Sequence, residues 1–471
     1  MELFLVILII LIVLAAGDLI VGVSNDAVNF LNSAIGSKAA PRWIILTVAS
    51  AGILFGTTFS TGMMEVARKG IFNPESFMLP EIMIIFLAVM LTDILLLDLF
   101  NTFALPTSTT VSIVFELLGA AVAMAVIKIT HSSETILDLY HYINSEKALL
   151  IISGILLSVV ISFSVGALVQ FITRVIFTFD YEKRIKRYGA IWGAIALTGI
   201  TYFILIKGAK HSSFMSPEIK DWIKINTLSI LIYGTIVWGI VLQGLISFTK
   251  VNILKIIILV GTFALALAFA ANDLVNFIGV PLAAFTSYTL GANATGDPMT
   301  LLMTELTKPV QTNTIFLLLA GLIMVITIFY SKKSKSVTKT EVNLARQGEG
   351  LERFESSLLA RKLVRASLAL NSGFGKVIPA PIVNKVRSRF ENADRRIVSS
   401  EGEAVSFDLL RASVNLMVAS ILISIATSLK LPLSTTYVTF MVAMGTSLAD
   451  KAWGRESAVY RITGVITVIG G

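Results

Sequence analysis

The chain has 471 residues, of which 55% are hydrophobic and 14% charged, with a formal net charge of +8 and no cysteine. Soluble domains carry roughly 25% charged residues, so an ordinary soluble protein is excluded, and without cysteine there are no disulfides or thiolate metal sites. Apolar runs of ~20 residues, long enough to cross a ~30 Å hydrocarbon core, recur along the whole length. The ~10-residue alternating segments of a β-barrel do not dominate. The expectation is an all-α polytopic membrane protein whose backbone polar groups are satisfied inside helices.

The first apolar run begins at Leu3 and is interrupted by polar residues near Gly17 to Asn25. It has no basic stretch before it, so it reads as a broken first span rather than a cleaved signal. Further runs lie at Trp43–Thr61, Ile82–Phe100, Thr107–Ile127, Ala148–Ile172, Ala190–Ile206 and Thr227–Phe248. A long polar-interrupted run covers Ile253–Tyr288, followed by Thr314–Tyr330, Leu409–Leu429 and Leu433–Leu448. A twelfth starts at Ala458 and holds only about 14 residues, too few to span, so the sequence is expected to stop inside a larger protein. About 12 transmembrane segments result, the last truncated.

Basic loops set the expected orientation. The short stretch Arg174–Arg187 holds Arg174, Lys183, Arg184, Lys186 and Arg187, which places it in the cytoplasm and the N-terminus outside a cell membrane. Lys38–Arg42 and the basic stretch 331–407 then fall inside. Within that stretch Leu351, Phe354, Leu358 and Leu363 share a helical face among Arg361, Lys362 and Arg365. Either this is a basic amphipathic helix lying on an anionic leaflet or the whole stretch is a solvated insertion.

Two hexamers each occur twice. Asn25-Asp26-Ala27-Val28-Asn29-Phe30 returns as Asn272-Asp273-Leu274-Val275-Asn276-Phe277. Leu105-Pro106-Thr107-Ser108-Thr109-Thr110 returns as Leu431-Pro432-Leu433-Ser434-Thr435-Thr436. By the span count, the segments carrying the two copies run in opposite directions, the signature of an inverted-repeat secondary transporter. Asn25 and Ser108 are 83 positions apart, Asn272 and Ser434 162 apart; the difference matches the 331–407 insertion. The expected organisation is two inverted five-segment repeats joined by two connector spans. The first repeat covers 1–173, the connector 174–252, the second repeat 253–330 and 408–471, with the cytoplasmic basic insertion 331–407 between its parts.

Ser108-Thr109-Thr110 precedes a helical run, where hydroxyls sit beside unpaired backbone N–H groups and the positive end of the helix dipole. Such a start can hold an anion without a lysine or arginine, and Ser434-Thr435-Thr436 offers the same from the opposite side. Two of them facing each other would hold a tetrahedral oxyanion; singly, they would be ordinary helix caps. Asn25, Asp26, Asn29, Asn272, Asp273 and Asn276 bring hard oxygen donors into an apolar setting. One carboxylate with neutral oxygens suits Na⁺, with carbonyls of an unwound Gly22–Ser24 as further ligands. A proton on a buried aspartate and simple interhelical hydrogen bonding are the other readings. Glu65 is either an accessory ligand or a loop carboxylate paired with Arg68 or Lys69. Asp93 and Asp98 are also unusual inside a span, with contacts to the connector spans expected. No phosphate-binding Gly-x-x-x-x-Gly-Lys-Ser/Thr run, zinc motif or nucleophile elbow occurs, so ATP drive and enzyme chemistry are not expected. The basic insertion lacks interleaved aromatics, so no nucleic-acid partner is expected.

The paired Asn-Asp-x-x-Asn and Pro-x-Ser-Thr-Thr motifs resemble those of the PiT-type inorganic phosphate transporters over nearly the whole chain outside 331–407. The resemblance implies a homodimeric symporter importing inorganic phosphate, with Na⁺ or H⁺ as coupling ion and no cofactor. It implies that Asn25, Asp26, Asn29, Asn272, Asp273 and Asn276 serve the coupling ions. Ser108, Thr109, Thr110, Ser434, Thr435 and Thr436 would bind phosphate, and Glu65 matches a family acidic position. Val23-Ser24 replaces the common Gly-Ala before the first motif, and Val111 stands where many members have histidine. Transport of another oxyanion such as sulfate, or phosphate sensing without transport, are the alternatives.

Overall fold

The computed structural model describes residues 1–58, 71–202, 216–308, 314–348, 354–362, 364–365, 380–390, 405–429, 433–453 and 457–470. Among these the regular elements are all helical, as a lipid-facing backbone requires. Helix α1 (Glu2–Asp26) leads into α2 (Val28–Gly36), and α3 (Arg42–Thr57) follows. Then come α4 (Leu79–Thr102), α5 (Thr109–Thr130) and α6 (Ser145–Phe177). Helices α7 (Glu182–Thr201), α8 (Pro217–Ile225) and α9 (Thr227–Phe248) form the middle of the chain. The remainder is α10 (Ile253–Ala292), α11 (Thr314–Tyr330), α12 (Lys332–Leu344), α13 (Ala380–Arg389), α14 (Leu409–Ser428), α15 (Thr435–Ala449) and α16 (Ser457–Gly470).

Seven spans among the described residues are long and apolar enough to cross a membrane, eight if the bent pair α11–α12 is one of them. The expected runs at Trp43–Thr61 and Leu433–Leu448 form helices of 16 and 15 residues, shorter than a ~20-residue crossing. The run expected at Ala190–Ile206 becomes α7, whose first turns carry Lys183, Arg184, Lys186 and Arg187.

Packing is reciprocal between the two motif-bearing parts. Helix α1 packs on α4 and on α11; α10 packs on α14 and on α3. Likewise α4 packs on α5 and α14 on α15, while α6 lies along α15. Helices α7 and α9 pair with each other beside α10. Helices α3 and α10 approach closely, where small residues let backbones meet. A Cβ added at Gly52 would lie 2.3 Å from the Phe263 carbonyl oxygen, and one at Gly56 2.3 Å from that of Leu267. Backbone cannot yield as a side chain can. Gly56→Ala is therefore expected to destabilise by about 1–3 kcal/mol, read as a lowered thermal midpoint in detergent. Gly119→Ala, with nothing within 4 Å of the new atom, should leave the midpoint unchanged.

The first span is not unwound at Gly22–Ser24. Those residues are regular helix, and α1 and α2 are separated only by Ala27, whose N–H still donates to Val23 at 2.9 Å. Gly22 has a different purpose: its missing Cβ makes room for the Phe277 ring, 2.2 Å from where that atom would sit. The second motif lies inside the continuous 40-residue α10. The irregular backbone is instead at residues 103–108, between α4 and α5, where Ala104 takes a φ of 50°.

Arg174, expected in a basic cytoplasmic loop, is buried. Its guanidinium pairs with Asp408 at 2.8 Å and Asp450 at 2.6 Å, joining α6 to the residues flanking α14 and α15. Two carboxylates fix the charge that solvent would otherwise hold. Residues 332–344, read as the start of the basic insertion, form α12. This helix bends 71° from α11 and packs on α2. Glu341 is fully buried there and accepts a hydrogen bond from Asn32.

Candidate substrate and ion site

Both Ser-Thr-Thr stretches are helix starts. Ser108 caps α5, its Oγ accepting from Val111 N at 3.1 Å, and Ser434 caps α15, accepting from Tyr437 N at 2.9 Å. The following threonines in each case point their hydroxyls at the aspartates. Thr109 donates to Asp26 Oδ2 at 2.7 Å, and Thr436 to Asp26 Oδ1 at 3.0 Å. Thr110 donates to Asp273 Oδ1 at 3.1 Å, and Thr435 donates to Asp273 Oδ2. Each aspartate thus receives one hydroxyl from α5 and one from α15.

The asparagines divide the labour by position. Asn29 Nδ2 donates to Thr436 Oγ1 at 3.0 Å, and Asn276 Nδ2 to Thr110 Oγ1 at 3.0 Å. Each reaches across to the other half of the chain. Asn25 instead holds the extended lead-in to α5: it accepts from Thr107 N at 2.9 Å and donates to the Leu105 carbonyl at 3.0 Å. Asn272 donates to the Leu433 carbonyl at 3.2 Å in the same way. Helical spacing alone put positions 25 and 29 on one face; the structure gives them different partners.

All twelve predicted motif residues are at most 4% exposed, so the cluster is closed to solvent. The residues expected to hold the anion and those expected to hold the cations are hydrogen-bonded into one cluster. Asp26 and Asp273 act on each other electrostatically, and among the described residues no lysine or arginine acts on them. Two buried carboxylates without a basic partner are costly unless a cation or proton joins them. The donors present (carboxylate, carboxamide and hydroxyl oxygens) are those a hard monovalent cation takes.

Glu65 lies outside the described residues. Asp98 pairs with Lys333 at 2.5 Å and is half-exposed, and Asp93 accepts from Ser112 at 2.6 Å. These partners lie on α12 and α5, and α4 packs on α1 and α5. Sequence reasoning missed Asn101, whose Oδ1 accepts from Asn25 at 2.9 Å while its Nδ2 donates to the Val21 carbonyl at 2.7 Å. It also missed Thr439, which donates to Asn29 Oδ1 at 3.3 Å. A carboxamide four residues before Leu-Pro was the available signal for Asn101.

The profile of the phosphate transporter family matches residues 22–335, two thirds of the chain, from the end of α1 to the start of α12. The chain belongs to the phosphate transporter family. It is 27% identical over 286 residues to a putative phosphate permease of Pyrococcus abyssi, covering 57% of this chain and 64% of that one. A second, from Pyrococcus horikoshii, is 26% identical over 282 residues with the same coverage. The chain thus spans less than two thirds of the length of these relatives. A solved sodium-dependent phosphate transporter shares the fold, with a TM-score of 0.66 at 16% identity over 99% of this chain and 96% of that one. Helices of crossing length, together with this family, make the protein a multi-pass membrane protein.

Proposed function

We propose that the chain is a secondary active transporter that imports inorganic phosphate by symport with Na⁺, or alternatively H⁺, through alternating access. The observation that carries this is the sharing of each buried aspartate between threonines of α5 and α15. A hydroxyl has one hydrogen to give. While it donates to Asp26 or Asp273 it cannot donate to phosphate. A cation arriving at the aspartates neutralises them and frees four threonine hydroxyls. These, with the N–H groups at the starts of α5 and α15, then suit a tetrahedral anion. Cation binding thereby precedes and enables phosphate binding, which is coupling without any covalent step. Ser108 and Ser434 hold the two helix starts in place and keep their own hydrogens for the anion.

The architecture that goes with this function is two inverted five-segment repeats joined by two connector spans, about 12 segments in all. The reciprocal packing of α1 on α4 and α10 on α14 supports it. Outward N-terminus, cytoplasmic 331–407 and a homodimer in the cell membrane complete the proposal. Movement of α1 to α6 against α10 to α15 would break two of the four threonine–aspartate bonds, one at each carboxylate, and open the cluster.

Purified protein in liposomes should take up labelled phosphate under an inward Na⁺ gradient. Excess sulfate should not compete. No uptake under either a Na⁺ or a proton gradient would overturn the function, and phosphate binding without uptake would mark a sensor. Ser108→Ala and Ser434→Ala each remove a donor to a charged ligand, worth about 1.5–3 kcal/mol. Their apparent KM for phosphate should rise roughly ten- to a hundredfold. If neither rises, the anion is bound elsewhere.

A further inference from the structure

A second group of buried acids lies apart from the aspartate–threonine cluster. Asp18 on α1, Asp93 on α4 and Glu116 on α5 converge around Ser112, one turn into α5. Ser112 Oγ lies 2.6 Å from Asp93 Oδ1 and 2.7 Å from Glu116 Oε1. The Asp18 and Asp93 carboxyl groups act on each other electrostatically. Both Asp18 oxygens are buried, and among the described residues no N–H or O–H donates to either of them. An intramembrane carboxylate left wholly without a donor is among the costliest groups a bundle can hold.

The hydrogens can be counted. Two oxygen–oxygen contacts link Ser112 to Asp93 and to Glu116. Each needs one hydrogen, and Ser112 supplies one. The other must come from a carboxyl group. The charged and titratable groups acting on the three acids are one another and, from α1, Asp26. Asp273 of α10 acts on Asp26 instead. Lys128 on α5 pairs with Glu81, and Lys333 on α12 pairs with Asp98. Among the described residues no basic side chain acts on the three acids.

Ser112 and Glu116 also line a cavity of about 740 Å³ between α4, α5 and α6, bordered by Val111, Ile152 and Tyr437. The acids therefore connect an open space at Glu116 to Asp18, which lies on the same helix as Asp26 and within its field. We propose that Asp18, Asp93 and Glu116 form a proton-holding relay, filled from the cavity beside Glu116 and coupled electrostatically to Asp26. It is a site separate from the doubled motifs, and its role in uptake rests on the phosphate-transport function proposed above.

The test has one arm that needs no transport. Infrared spectra of the native protein and the triple variant D18N/D93N/E116Q would be compared at neutral pH. Amides are isosteric with protonated acids, so the variant should fold. The native protein should show carboxylic C=O absorption that the variant lacks. Coincident spectra in that region, or loss of ionised carboxylate absorption only, would overturn the relay. In liposomes, an inward proton gradient should stimulate native phosphate uptake, and Asp93→Asn should lose that stimulation while keeping Na⁺-driven uptake. Asp98→Asn, on the same helix but paired with Lys333, should keep both. Stimulation that survives Asp93→Asn would overturn the relay. Absence of native uptake under every gradient would refute phosphate transport and leave the infrared comparison to decide the proton site.

Discussion

Replacing Asp273 with asparagine should raise the Na⁺ concentration for half-maximal phosphate uptake by about a hundredfold or more. The carboxylate is buried and accepts hydroxyls from α5 and α15. Removing one charge of a buried ion pair typically costs about 3–5 kcal/mol, and each 1.4 kcal/mol is about tenfold in affinity. The amide still fits and still offers one oxygen, so the fold should persist and the loss should fall on the ion. Asp26→Asn should show a shift of similar size, because its pair of threonine donors mirrors that of Asp273. The measurement is uptake against Na⁺ at saturating phosphate. Unchanged half-saturation in both variants would remove the aspartates from the ion site.

The second large effect is on stability. Arg174→Met should cost about 3–5 kcal/mol, because it leaves Asp408 and Asp450 buried without their shared cation. Thermal or denaturant unfolding in detergent would read it. Burial alone would push the Asp408 carboxyl upward, but Arg174 more than offsets this and holds it below the usual aspartate range. A depressed carboxyl contributes stability that is fully present above the unfolded value and lost as pH falls through the lower folded one. The native protein should therefore weaken on acidification below about pH 4, and Arg174→Met should lack that part of the acid sensitivity. A variant as stable as the native chain would show that the guanidinium is dispensable.

Much of the helical architecture was legible because lipid enforces it: an apolar run of sufficient length has almost no alternative to a helix. The doubled hexamers were legible because polar residues in such runs stand out. Their interleaving was not. Spacing along one helix says which residues share a face, but Asn29 finds its partners on α15, more than 400 positions away. For the same reason Asp93 was noticed and left unexplained, since Asp18 and Glu116 join it only through tertiary packing. Arg174 looked like a loop charge because nothing local announces that Asp408 and Asp450 will meet it. The break in the backbone was assigned to Gly22 on composition, yet that glycine admits the ring of Phe277, and the irregular segment lies before Ser108.

The crossing threonine bonds also bear on how such a chain could have arisen. A single Asn-Asp-x-x-Asn helix with its own Ser-Thr-Thr helix supplies only one of the two hydroxyls each aspartate accepts, and none of those its distal asparagine reaches. An ancestor of half the length would have completed the cluster only as a pair of copies. Joining the copies in one polypeptide would let them drift apart, as Asn32 and Gly279, each seven positions after the first asparagine of its motif, differ.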